Sequence, residues 1–84
     1  MGMDIHGNTL VISDILGVEE AEPLLEWLLE HRDGQLDLST CHHLHAANLQ
    51  VLMALRPTIT SWPDDPALSD WLKIAFDEME SNHA

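Results

Sequence analysis

Four residues of metal-ligating type lie close together near the middle of the chain: Cys41, His42, His43 and His45. Thiolate and imidazole groups are good zinc ligands, but a structural zinc site needs four converging ligands, usually drawn from two separated segments. These candidates crowd one segment, and the adjacent His42 and His43 are expected to point apart. We therefore predict no metal site and no cofactor. Cys41 is expected to be a buried, inert thiol, and the histidines are expected to line an exposed loop.

The same segment offers a cysteine–histidine pair, which is one route to a catalytic nucleophile. Such a nucleophile also needs an oriented base, an oxyanion site and a substrate cleft, and no second segment supplies them. The four glycines are scattered singly, so there is no glycine-rich phosphate loop. Ser39 and Thr40 carry hydroxyls, which are expected to hydrogen-bond the backbone of a turn or a helix cap. The sequence therefore predicts that the protein is not an enzyme.

Hydrophobic periodicity predicts alternating strands and helices on either side of this segment. Strands are predicted over residues 8–16, 35–39 and 58–62, and helices over 18–31, 44–56 and 64–79. The last helix is predicted to begin with an aspartate cap at 64–65 and with Pro66 as its first helical residue. In the first of these strands Leu10 and Ile12 share one face, and the other face is also apolar, which predicts cover on both sides or an edge met by a partner. Because strand–helix–strand units join parallel strands, we predict an α/β fold of β-α-β-α-β-α order with a mainly parallel sheet covered by helices.

The ends of the chain and the tryptophans carry further expectations. The whole of residues 1–84 is predicted to be one domain. Residues 1–7 are either flexible or a short edge strand, formed by 3–6 as a hairpin that turns at 7–8, and 80–84 form a frayed tail. Trp27 is expected to lie beside the apolar stripe of the first helix, half exposed. Trp71 is expected to belong to the buried stripe of the last helix.

Composition excludes several classes of partner. The chain has 84 residues, is 45% hydrophobic and carries a formal net charge of −12. Such a charge repels nucleic acids and anionic membranes and attracts a basic protein. No apolar run approaches the roughly 20 residues of a membrane-spanning helix. A single cysteine excludes an internal disulfide and fits a reducing compartment, so we expect a cytoplasmic protein.

A more specific pattern runs through residues 36–52, where a short apolar strand leads through polar residues into an apolar helix. The positions that match a known signature are Asp37, Leu38, Ser39, Cys41, Leu44, Leu49 and Leu52. The segment resembles the signature of STAS domains, the sulfate-transporter and anti-sigma-factor-antagonist family, which reads roughly D-L-S-x-V-x-x-M-D-S-S-G-L-x-x-L. The resemblance implies a regulatory module that binds another protein, in the class of anti-sigma kinases or components of larger signalling assemblies.

The resemblance also indicates what this chain lacks. In the family, a serine or threonine that follows the loop aspartate is phosphorylated by a partner kinase. His45 stands at the position of that aspartate, Ala46 at the phosphoacceptor, Ala47 at the next small residue and Asn48 at the glycine. Since alanine has no hydroxyl, the usual phosphorylation switch is predicted to be absent.

The central helix is the predicted contact surface, because it is apolar nearly all round whereas a helix on a sheet normally has a polar outer face. We predict that the partner contacts Ala46, Ala47, Asn48, Leu49 and Met53. Two alternatives remain open. One is a self-associating module that forms a homodimer through this helix or a free strand edge. The other, less favoured, is a metal-responsive regulator that uses Cys41 and the histidines.

Overall fold

The computed structural model describes the backbone of residues 2–81 and the side chains of residues 2–77. A single 3-10 turn, Val18–Glu20, precedes the first helix. The other elements, in chain order, are β1 (Met3–His6), β2 (Thr9–Leu16), α1 (Ala21–Glu30), β3 (Gln35–Leu44), α2 (Ala46–Leu55), β4 (Thr58–Ser61) and α3 (Pro66–Ser81). The predicted α/β class and the order of the elements are confirmed.

The four strands form one sheet in the order β1-β2-β3-β4. The hairpin predicted at the start of the chain is present: β1 pairs with β2 antiparallel at the edge of the sheet, and Gly7 adopts the left-handed conformation, at a φ of 62°, in the turn. β2, β3 and β4 are parallel to one another. The crossovers between them contain α1 and α2, as a β-α-β-α-β order requires.

One face of the sheet supports the core. The inward residues of β2 and β3 belong to a single buried cluster with residues of all three helices, whose members there are Leu24, Trp27, Leu28, Leu52 and Leu72. Residues that alternate with the inward ones in β2, such as Val11 and Ser13, are only half-buried, and Ile15 is 61% exposed. Because successive strand residues point to opposite faces, the helices cover one face of the sheet. Of the two alternatives predicted for β2, cover on both sides is wrong, and an edge met by a partner stays a prediction.

The two expectations about tryptophan burial are both wrong. Trp27 is 7% exposed and lies in the core. Its ring stacks on that of His31 with the centroids 4.4 Å apart, and a Cβ added at Gly34 would approach that indole within 2.7 Å. Trp71 is instead 44% exposed, whereas Leu72 beside it is 1% exposed. The buried side of α3 therefore includes Ser69 and Leu72, and Trp71 lies at its exposed margin.

β3 is longer than predicted. The predicted strand ends at Ser39, but β3 continues to Leu44, because β2 reaches Leu16 and provides a partner for the extension. The pairing of the two strands is irregular, with register shifts on either side of Asp14, whose φ is 57°. His42 and His43 therefore lie on a strand, and the prediction that they line a loop is wrong, although both are exposed.

The last helix begins as predicted and ends later. Asp65 accepts a hydrogen bond from the Ala67 N–H at 3.0 Å, as an N-terminal cap does, and Pro66 is the first helical residue. α3 continues to Ser81, so it includes the first residues of the predicted frayed tail; residues 82–84 of that tail lie outside the described residues. No helix in the described part of the chain is long and apolar enough to cross a membrane.

Candidate functional site

The start of α2 is built by His45, which lies between the end of β3 and the helix. His45 is extended, at φ −65° and ψ 146°, and its Nδ1 accepts a hydrogen bond from the Ala47 N–H at 3.0 Å. The imidazole thus satisfies one of the backbone donors that a helix N-terminus leaves unpaired. Ala46 follows as the first residue of α2 and is exposed. The position that resembles the family's phosphoacceptor therefore lies at an exposed helix start, with a methyl group in place of a hydroxyl.

Asn48 connects α2 to the end of β2. Its side chain is fully buried, and its Nδ2 donates to the carbonyl oxygens of Leu16, at 3.1 Å, and Gly17, at 2.7 Å. Leu16 is the last residue of β2 and Gly17 follows it, so the asparagine holds the first turn of the helix against the end of the strand. Asn48 was predicted to contact a partner. That prediction is wrong, because no part of the residue reaches the surface.

The outward side of α2 has no charge. Not one of the ten residues from Ala46 to Leu55 is ionisable. The side chains that face outward are exposed at Ala46, Gln50 and Ala54 and half-buried at Ala47 and Met53. We call these five residues the α2 surface. A protein with a formal net charge of −12 thus has a helix whose outward side consists of three alanines, one methionine and one amide.

Leu49 occupies a different place from the rest of the predicted contact set. It is half-buried and packs against the core cluster, as Val51 and Leu55 also do. The structure therefore brings Ala46, Ala47 and Met53 of the predicted set together on the α2 surface, leaves Leu49 at its border, and removes Asn48 from it. Gln50 and Ala54, which follow Ala46 at helical spacing, complete the surface.

Asp37 and Ser39, which match the family's D-L-S triplet, interact with each other. Asp37 Oδ1 accepts hydrogen bonds from the Ser39 N–H at 2.9 Å and from Ser39 Oγ at 2.7 Å. The backbone bond first, and then the side-chain bond, lower the pKa of the Asp37 carboxyl from its ordinary value, while partial burial opposes them. Ser39 therefore has the local structural role that the sequence predicts, but it bonds a carboxylate rather than the backbone.

Removing the Ser39 hydroxyl gives a pH-dependent effect on stability. The pKa of Asp37 is lowered in the folded state. The ionised carboxylate therefore stabilises the folded state above about pH 3.9, and this stabilisation is lost as the pH falls through the pKa of the folded state. We expect Ser39→Ala to lower the free energy of unfolding at neutral pH by at most about 1 kcal/mol, with a smaller difference once the carboxyl is protonated. Urea unfolding as a function of pH measures this. The exposed neighbour is the control: a Thr40→Ala difference that shrank in the same way would contradict the assignment.

The cysteine and histidines do not converge. Cys41 is 1% exposed and its thiol donates to the His43 carbonyl oxygen at 3.4 Å. Burial raises the pKa of the thiol, and the bond to His43 opposes the rise. Among the side chains of residues 2–77, no three histidines, cysteines, aspartates or glutamates are placed to hold a metal ion. The predicted burial of Cys41 is confirmed, and His45 uses its Nδ1 to cap α2.

The positions of Cys41 and the histidines predict that zinc does not stabilise the protein. A ligand that binds only the folded state stabilises it by about 2.7 kcal/mol at a hundredfold excess over its dissociation constant, and each kcal/mol raises the melting temperature of a small domain by roughly 4–8 °C. We expect zinc and chelator to leave the melting temperature unchanged. A rise of about ten degrees that His43→Ala and His45→Ala abolish would contradict this and would support the metal-responsive alternative.

Two surface pockets lie beside α3. A pocket of about 390 Å³ separates the end of β3 from the first turns of α3, lined by His42, His43, Leu44, Asp65, Ala67, Leu68 and Trp71. A second, of about 290 Å³, is lined by Trp62, Lys73, Phe76 and Asp77. In the second pocket Lys73 Nζ lies 5.6 Å from the centroid of the Trp62 ring. The first pocket was not predicted, because the predicted strand ends at Ser39 and Trp71 was expected in the buried stripe of the last helix.

Comparison of the chain with models of known protein families gave no match, and comparison with curated proteins gave none.

Proposed function

We propose that this protein is a STAS-like regulatory adaptor of bacterial signalling, cytoplasmic and non-enzymatic, which binds a protein partner through the α2 surface and is not switched by phosphorylation at the family's usual position. The partner class is that of anti-sigma kinases or components of larger signalling assemblies. The observation that carries the proposal is the uncharged outward side of α2 in a chain of net charge −12. Charged residues are depleted at the centre of protein interfaces.

The position of the α2 surface supports the same proposal. In open α/β sheets, binding sites favour the carboxyl ends of the parallel strands and the helix starts that follow them. The α2 surface begins at such a point, where His45 caps the helix directly after β3. Asn48 fixes that start against β2, so the surface is presented by a rigid element. A rigid surface loses little conformational entropy when a partner binds.

The proposal that phosphorylation does not switch this protein depends on one missing atom, a hydroxyl oxygen at position 46. Ala46 supplies no hydroxyl at the exposed start of α2, and a phosphoryl group needs such an oxygen. Partner binding is therefore not switched by phosphorylation at this position. A basic rim around an apolar centre on the partner would complement this chain, because opposite charge accelerates association and favours the correct partner.

The test introduces one positive charge into the α2 surface. Gln50→Lys places an ammonium at the centre of the surface, and Gln35→Lys makes the same change at an exposed position of β3. We expect a partner captured from the native host by the unchanged protein to be retained by Gln35→Lys and to bind Gln50→Lys at least about tenfold more weakly. Equal binding by both variants, or loss with Gln35→Lys alone, would contradict the proposed surface.

Self-association is the second candidate, favoured by one observation. β1 is a four-residue edge strand, and its Ile5 is 62% exposed. An open strand edge with an apolar side chain is a template for pairing with a second copy. The net charge of −12 opposes this pairing, because two copies repel each other. Sedimentation at micromolar concentration decides: a tight dimer that Ile5→Lys dissociates would replace the adaptor proposal, and a monomer would remove the alternative.

A further inference from the structure

The second half of β3 has an open edge. β4 has four residues and pairs with β3 only at Gln35, Leu36 and Asp37. One further backbone bond follows, from the Asp64 N–H to the Ser39 carbonyl oxygen at 3.1 Å. Beyond it, residues 40–44 of β3 pair with β2 on one side and with no strand on the other, in the part of the chain that the structure describes. An edge of this kind offers backbone donors and acceptors to an added strand.

A groove runs beside this open edge. The first turns of α3 form its other wall, and the pocket of about 390 Å³ lies between them. Leu44, which is 2% exposed, and the half-buried Leu68 provide its apolar floor, while Trp71, at 44% exposed, stands at its side. The pocket is large enough for one apolar or aromatic side chain. A strand edge next to a helix, with a pocket for an alternate side chain, is the geometry that binds extended peptides by strand addition.

Charge selects the kind of peptide. Asp65 lines the pocket, Asp64 precedes it at the edge of the sheet, and no lysine or arginine is among the lining residues. The whole chain carries a net charge of −12. A second copy of this chain and an acidic peptide are therefore repelled from the groove, whereas lysine or arginine side chains would be attracted to its rim.

We propose that the groove between residues 40–44 of β3 and the start of α3 binds an extended, basic segment of a partner protein. The segment adds a strand to the open edge of β3, places one apolar or aromatic side chain against Trp71 and Leu68, and directs lysine or arginine side chains toward Asp64 and Asp65. This site is separate from the α2 surface and does not depend on it.

Short synthetic peptides test the proposal directly. The probe is a fluorescein-labelled peptide that alternates lysine with valine around one central tryptophan, and binding is followed by fluorescence anisotropy. We expect saturable binding with a dissociation constant of about 1 mM or below. Methylation of alternate peptide nitrogens removes the backbone donors and is expected to weaken binding at least about tenfold. The analogue with glutamate in place of lysine is expected not to bind. Equal binding of the N-methylated peptide, or no saturable binding of the lysine peptide, would overturn the proposal.

Protein variants locate the site. Trp71→Ala is expected to weaken binding of the lysine–valine peptide at least about tenfold. Ile74→Ala, which removes another exposed side chain of the same helix, is expected to leave the affinity for the peptide unchanged. Gln50→Lys, which tests the α2 surface, is also expected to have no effect on the peptide. Amide chemical shifts should change at residues 40–44 and in the first turns of α3. Changes centred on α2, or equal weakening by Trp71→Ala and Ile74→Ala, would refute the assignment.

Discussion

Asn48→Asp is expected to destabilise the protein by about 4 kcal/mol or more, enough to unfold much of it at neutral pH. The amide nitrogen donates to two carbonyl oxygens, those of Leu16 and Gly17, in a site with no exposed surface. Aspartate puts an oxygen where that donor was and adds a negative charge facing the carbonyl oxygens. An unpaired buried charge is among the most destabilising of single changes. Chemical denaturation, with circular dichroism as the signal, measures the loss.

The matched control makes the same chemical change one half-turn away. Gln50→Glu also converts an amide to an acid on α2, but its side chain is exposed, so the free energy of unfolding should change by no more than about 0.5 kcal/mol. If the two variants were equally stable, Asn48 would not connect α2 to β2. The rigid presentation of the α2 surface would then lose its physical basis.

Trp27→Ala is expected to lower the free energy of unfolding by about 3–5 kcal/mol. The indole is 7% exposed, stacks on His31 and occupies the space that Gly34 leaves open. Its removal leaves a cavity that the surrounding α1 and β3 residues cannot fill by small shifts. Urea denaturation of the variant and of the unchanged protein gives the difference.

Trp71→Ala is the comparison, because it removes the same side chain from a position that is 44% exposed. Tryptophan buries about 150–250 Å² when it is fully enclosed. At about 25 cal/mol per Å², the difference in exposure makes the loss at Trp71 smaller by about 2 kcal/mol. Equal losses at the two tryptophans would mean that Trp71 is a core residue, and the groove beside β3 would then lack its wall.

The main elements could be predicted because their signals are local. Alternating Leu10 and Ile12 predicted β2, the aspartates before Pro66 predicted the start of α3, and Gly7-Asn8 predicted the hairpin turn. Each depends on side chains within a few residues of one another. The extension of β3 through Cys41 and His43 could not be predicted in this way, because it depends on the length of β2, which lies far away in the sequence.

Burial was predicted less well than secondary structure, for the same reason. The helix period places Trp27 beside the apolar stripe of α1. Its burial depends on the contacts of the indole with His31 and Gly34, which the helix period does not show. Asparagine is usually a surface residue. Asn48 is buried because the carbonyl oxygens of Leu16 and Gly17, at the end of β2, accept its hydrogen bonds. Whether a face of the sheet is covered depends on the helices in the crossovers between strands, and the sequence of one strand does not show it.

The α2 surface is the central claim, and amide hydrogen exchange of the protein with its captured partner tests it most directly. The partner is expected to slow exchange in the first turns of α2, from Ala46 to about Met53, where helix starts otherwise exchange fastest. Gln50→Lys should remove this protection, and Gln35→Lys should retain it. Protection confined to other elements, with exchange in α2 unchanged by a partner that binds tightly, would contradict the account.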